Sequence, residues 1–162
     1  MIEFLTNLGV TKQYAGDVWL LIIFLIIGIV LTVLVKKKNL GALILSVYIS
    51  FVVLSSAFFI PDNSGVRVVL LGILIFLVFH GVKKAFPFSM KGSGVASWFK
   101  VVFLSLMVVG MIGSIVLSWV SAKELEEFFT PLSRKLLISK EALFVWAVLP
   151  FSALVMLNNR RK

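Results

Sequence analysis

Few side chains in this sequence could do chemistry, and His80 is the first to consider. It is the only histidine of the chain and lies in an apolar run, where an ionisable group is a functional candidate by default. An imidazole there could act as a general base. Lys83 and Lys84 follow within one helical turn and place His80 near a membrane interface. We therefore favour a histidine tolerated at that interface and keep a functional role as the alternative.

Other catalytic and metal-binding chemistry lacks the residues that it needs. The chain contains no cysteine, which excludes thiolate catalysis and cysteine-bound metals. Its seven acids all fall outside the apolar runs, whereas hydrolysis at membrane depth needs a nucleophile with a base or a carboxylate pair. Carriers coupled to protons or sodium usually need an acid at the midplane. We predict no catalytic residue, no cofactor and no metal site, so the chain is not expected to be an enzyme.

Small residues recur at helical spacing in the second and fourth apolar runs. Such ridges let two helix backbones approach closely, which is how membrane helices associate without a hydrophobic drive between them. The alternative is a polar pore lined by serines, but serine hydroxyls can also return hydrogen bonds to their own helix. We favour helix packing. The ridge residues are Ala42, Ser46 and Ser50 in one run and Gly110, Gly113, Ser114 and Ser118 in the other.

The composition identifies the elements that carry these residues as membrane helices. The chain is 60% hydrophobic, above the ~45–50% of soluble domains, and its mean hydropathy is +1.12. Crossing the hydrocarbon core takes about 20 helical residues. We predict one all-α domain over residues 1–162, a polytopic integral membrane protein of about five transmembrane helices with short interfacial helices. The predicted spans lie near residues 18–35, 40–60, 66–82, 101–122 and 142–157.

The basic residues predict the orientation and the polar partner. With the N-terminus outside and the C-terminus inside, ten of the 16 basic residues lie inside and all seven acids lie outside, as the positive-inside rule requires. Because the lysines punctuate apolar runs, we expect anionic lipid headgroups at the inner face as their partner, and not nucleic acid. The residues assigned to topology and headgroup contact are Lys36, Lys37, Lys38, Lys83, Lys84, Arg160, Arg161 and Lys162.

A polar segment after the fourth run carries two helix-start signals. Ser121 and Glu124 have the spacing of a capping box, and Thr130 followed by Pro131 reads as an N-cap and the first position of a second short helix. We expect both helices to lie in the outer interface. The segment is interpreted as a linker, with a partner-docking or lateral-lid element as the alternative.

The run from Asp17, "DVWLLIIFLIIGIVLTVLVKKKNLGALILSVYISFVVLSSAFF", resembles the opening hairpin of CvpA-type proteins, the family named for colicin V production. Asp17, Gly28, the three lysines 36–38 and Gly41 occupy matching places. The later runs "VVLLGILIFLVFHGVKK" and "FLSLMVVGMIGSIVLSWV" are similar to that family's second hairpin, while a fifth apolar segment is added here. The resemblance implies a bacterial inner-membrane protein linked to export or envelope maintenance, without catalytic activity.

Taken together, these features favour a non-enzymatic, multi-pass protein of the bacterial cytoplasmic membrane. We expect it to act in secretion, export or envelope maintenance through helix packing with a membrane-protein partner or with copies of itself. The alternative is a small channel or carrier lined by serines of the second and fourth helices.

The predicted topology can be tested by labelling. Single cysteines introduced at Ser64 and at Asn158 should react with impermeant reagents from opposite sides of the membrane, because the predicted spans place an odd number of crossings between them. Labelling of both positions from the same side would contradict the prediction. Residues 142–157 would then return without crossing.

Overall fold

The computed structural model describes residues 12–35, 39–57, 63–85 and 95–159. Within these ranges all regular structure is helical and no strand is present, which confirms the all-α prediction. The helices are α1 (Lys12–Leu34), α2 (Leu40–Ser56), α3 (Ser64–Ala85), α4 (Val95–Leu117), α5 (Ala122–Phe128), α6 (Pro131–Leu137) and α7 (Lys140–Asn159).

The lengths of the helices decide how many of them can cross a membrane. α1, α3 and α4 are long and apolar enough to do so. α2 has 17 residues, and at ~1.5 Å per residue it reaches about 26 Å, less than the ~30 Å of a typical hydrocarbon core. α6 and α7 form a pair bent by 50°, which counts as a fourth span if the two are one broken helix. The described part of the chain thus supports three or four spans, and the predicted count of five is not confirmed.

Both predicted helix starts in the polar segment are confirmed. The backbone is extended at Ser121 and at Thr130, and each side chain accepts a hydrogen bond from the backbone N–H three residues later, Glu124 at 3.4 Å and Ser133 at 3.3 Å. Pro131 takes the first position of α6. α4 ends at Leu117, five residues before the predicted end of the fourth span.

α4 is the central helix of the bundle. It packs against α1, α2, α6 and α7, while α2 packs most extensively against α3. Half of the most apolar stretch of α4 is buried, compared with 6% of the corresponding stretches of α1 and α3. The buried core joins α2 and α4 with one residue of α3. Its members are Leu40, Leu43, Ile44, Val47, Leu54, Leu71, Val101, Leu104, Val108, Met111 and Ile115.

Gly110 allows a close contact between α4 and α7. The indole ring of Trp146, in α7, occupies the space in which a Cβ at position 110 would stand. The absence of a side chain therefore lets the ring pack directly on the backbone of α4. By contrast, a Cβ at Gly81 in α3 would meet no heavy atom of the described residues within 4 Å.

This difference leads to a matched pair of substitutions. Gly110→Ala should lower the free energy of unfolding by about 1–3 kcal/mol relative to Gly81→Ala, as expected for overpacking a close contact. Both changes gain the same helix propensity, about 1 kcal/mol, so their difference reports the contact with Trp146. Thermal unfolding of the two variants in the same detergent measures it. Equal melting temperatures would show that the ring does not press on Gly110.

Candidate functional site

The polar segment that follows α4 folds into a small cap over one end of the bundle. We call residues 122–137, which form α5 and α6, the cap. α5 packs against α1, and α6 packs against α4 and α7. The cap thus bridges the first, fourth and last helices, which are far apart in the sequence.

The start of α6 is held by a carboxylate of α1. Asp17 accepts two hydrogen bonds from Thr130, one from the backbone N–H at 3.2 Å and one from the hydroxyl at 2.6 Å. The same hydroxyl oxygen accepts the N–H of Ser133. Thr130 is buried, where its polar groups have little access to water. Its hydrogen bonds to protein partners satisfy these groups instead.

A glycine beside this carboxylate lets α1 and the cap meet. The backbone carbonyl of Phe128, at the end of α5, lies where a Cβ at Gly16 would stand. Any larger residue at position 16 would push the cap away from α1. The close approach therefore brings Thr130 within reach of Asp17.

The end of α6 is fixed by donors from two other helices. The Ser114 hydroxyl of α4 donates to the carbonyl of Leu137, and the indole N–H of Trp146 donates to the carbonyl of Leu136 at 3.0 Å. The last carbonyls of a helix lack partners within it, so both bonds satisfy groups that α6 leaves open. An ion pair between Arg134 and Glu126, 2.8 Å apart, joins the two short helices.

A pocket of about 480 Å³ that is open to its surroundings lies beneath the cap, between α1, α4 and α5, and we call it the cavity. Its walls are aliphatic and aromatic side chains together with two glycines, and one acid, Glu124, lies among them. The cavity is within the ~300–1,000 Å³ typical of small-molecule sites. The residues around it are Gly16, Trp19, Leu20, Ile23, Phe24, Gly113, Val116, Leu117, Val120, Glu124, Leu125, Phe128 and Phe129.

The small residues of α4 lie against several elements. A Cβ at Gly113 would overlap the edge of the Phe24 ring in α1. As described above, Gly110 contacts α7 and Ser114 contacts α6. Ser118 returns its hydrogen bond to its own helix, to the carbonyl of Ile115 at 2.6 Å. The contacts nearest to these residues are therefore with α1, α6 and α7 rather than with α2.

The small residues of α2 are buried in the core. Ala42, Ser46 and Ser50 are at most 1% exposed, and the Ser46 hydroxyl donates to the carbonyl of Ala42 at 2.6 Å. The hydroxyl of Ser50, and that of Ser105 in α4, are buried without a hydrogen-bond partner among the described residues.

His80 lies on an exposed part of α3. Its Nδ1 is 3.0 Å from the carbonyl of Phe76, and its ring lies 4.5 Å from the Phe76 ring. Lys83 and Lys84 are exposed at the end of the same helix, with the Lys83 ammonium 6.0 Å from the Phe79 ring centre. Within the described ranges no three His, Cys, Asp or Glu side chains are grouped as a metal site would require. Lys36, Lys37, Lys38, Arg160, Arg161 and Lys162 lie outside the described residues.

No protein-family model, curated protein or solved structure matches this chain. The sequence predicts Thr130 as an N-cap and places Asp17 in the stretch that resembles the CvpA-type hairpin, but it does not pair the two residues. Local spacing carries no signal for a contact across 113 residues.

The bond between Asp17 and the Thr130 hydroxyl can be measured with a double-mutant cycle of Asp17→Ala and Thr130→Ala. We expect a coupling energy of about 1.5 kcal/mol, the lower end for a hydrogen bond to a charged group, because the N–H of residue 130 still reaches Asp17 in Thr130→Ala. The free energies of unfolding are measured in detergent. Thr130→Ser keeps the hydroxyl and should stay close to the wild type. Additive single effects would show that the two side chains are not coupled.

Proposed function

We propose that this chain is a non-catalytic protein of the bacterial cytoplasmic membrane that binds a partner helix along α3. The partner is a helix of another membrane protein or of a second copy of the chain. The biological setting that we propose is secretion, export or envelope maintenance, which the resemblance of residues 17–120 to CvpA-type proteins supports.

The observation that carries this proposal is an uncovered glycine face on α3. A Cβ at Gly72 would meet no heavy atom of the described residues within 4 Å, and Val69 and Phe76, one turn to either side, are each 62% exposed. Gly65 lies two turns earlier on the same face, and the nearest atom to its Cβ position belongs to the neighbouring Asn63. Between Val69 and Phe76, the missing side chain of Gly72 leaves a shallow groove on this exposed face of α3.

Such a groove suits a helix better than it suits lipid tails. Small residues at a membrane helix surface let a second backbone approach closely and gain van der Waals contact. Flexible acyl chains can cover the same surface, but they gain less from the exposed backbone of a glycine. In addition, each glycine lowers helix stability by about 1 kcal/mol relative to alanine. At Gly72 no contact within the described chain compensates for this loss of helix stability. At Gly110 and at Gly113, by contrast, an aromatic ring packs against the glycine.

A channel or carrier is the second candidate, and one observation favours it. The hydroxyls of Ser50 and Ser105 are buried in α2 and α4 without hydrogen-bond partners among the described residues, and a buried polar group of this kind is explained by a bound water or ion. Selective, saturable uptake by liposomes containing the purified protein, lost when Ser46 or Ser114 is made bulky, would establish this function in place of the first.

Helix binding along α3 is tested by Gly72→Leu. The leucine side chain would fill the groove, so we expect the yield of cross-linked complexes in native membranes to fall severalfold. The melting temperature should not fall, because no described residue contacts that position and leucine is a better helix former than glycine.

Gly81→Leu is the matched control. Gly81 is equally uncovered but lies two and a half turns further along α3 and so on the opposite side of the helix. It should leave the cross-linking yield unchanged. The proposal is wrong if Gly72→Leu forms complexes as well as the wild type and Gly81→Leu do.

A further inference from the structure

The cavity beneath the cap has the size and lining of a site for one hydrocarbon chain. A methylene group is about as large as a water molecule, whose share of the liquid volume is ~30 Å³. The cavity of about 480 Å³ therefore has room for a run of several methylenes from one hydrocarbon chain. Trp19, Phe24 and Phe128 contribute aromatic surface from α1 and α5.

The position of the cavity gives such a chain access. α1 and α4 are apolar enough to cross a membrane, and the cavity follows them from Phe24 and Gly113 up to the first turn of α5. Its deep part therefore lies along the membrane-spanning helices, and its other end lies at the polar cap. An amphiphile has the same order of parts, with an apolar chain that ends in a polar head.

Glu124 determines which polar head is favoured. It is the charged residue among those that line the cavity, and its carboxylate accepts the Ser121 hydroxyl at 2.9 Å, which fixes it at the start of α5. Glu127, one turn later, is not among the residues that line the cavity. A carboxylate attracts an ammonium group and repels an anionic head.

We propose that the cavity binds a single alkyl chain that carries a primary ammonium head, with the chain between α1 and α4 and the ammonium at Glu124. This chemistry has two natural sources, the ethanolamine headgroup of a phospholipid and a free long-chain amine. The proposed site uses α1, α4 and α5 and is separate from the groove on α3, so either proposal can fail without the other.

Photo-cross-linking in phosphatidylcholine vesicles, which contain no primary amine, tests the proposal. The probes are a hexadecylamine and a hexadecanoate that carry the same photoreactive group on the chain. We expect the amine to label the residues lining the cavity at least fivefold more than the carboxylate does. Equal labelling by the two probes, or labelling of the amine spread over the exposed faces of α1 and α3, would overturn the proposal.

Two matched pairs of variants locate the chain and the head. Leu20→Trp fills the cavity and should reduce labelling by the amine at least fivefold, whereas Leu21→Trp, at a position that is 58% exposed, should leave it unchanged. Glu124→Gln should remove the preference for the amine, and Glu127→Gln should keep it. Melting temperatures near that of the wild type establish that each variant is folded. Equal effects within either pair would overturn the proposal.

Competition identifies the source of the ammonium group. If unlabelled phosphatidylethanolamine displaces the amine probe, the site takes a lipid headgroup. If hexadecylamine displaces it and phosphatidylethanolamine does not, the site takes a free long-chain amine. Displacement by neither compound would overturn the proposal.

Discussion

Asp17 accepts both hydrogen bonds that Thr130 can donate, and the arrangement of the cap depends on this pair. The carboxylate is partly buried at the end of a membrane helix, where hydrogen bonds to a charged group are strong because water competes less for them. With Thr130 fixed, α6 starts beside α1 and runs toward α7. Its last carbonyls then reach Ser114 and Trp146.

The cavity is a consequence of the same constraint. The bond to Asp17 and the close contact between Gly16 and Phe128 hold the end of α5 against α1. α5 therefore bridges the gap between α1 and α4 instead of filling it. The side chains that α5 turns inward, among them Leu125, form one wall of a space that neither long helix fills.

The sequence predicts those features that depend on residues close to one another along the chain. The all-α class follows from the long apolar runs, and the starts of α5 and α6 follow from Ser121 and Thr130, whose caps use partners three residues away. The number of spans does not follow in this way. Apolarity extends past Ser56, the last residue of α2, so composition alone does not give the length of the helix.

Contacts between distant residues were outside the reach of sequence reasoning for a different reason. The spacing of Gly110, Gly113 and Ser114 predicted a packing ridge on the fourth helix, yet the same spacing fits any neighbour that offers a ring or a carbonyl. The ridge contacts Trp146, Phe24 and Leu137, on three different helices. Periodicity identifies which residues of a helix are small. The partners depend on how all the helices are arranged.

Gly113 and Gly72 are glycines in two different environments, one packed against a side chain of the same protein and one uncovered. Both lie in apolar helices and both make their helix less stable than alanine would. At Gly113 the ring of Phe24 fills the vacant space, so the loss is offset by packing within the chain. At Gly72 the space next to the backbone is open, and no contact in the described chain offsets the same loss. In the proposed function, a glycine of the second kind contributes to association rather than to folding, because the contact that offsets its loss comes from the partner helix.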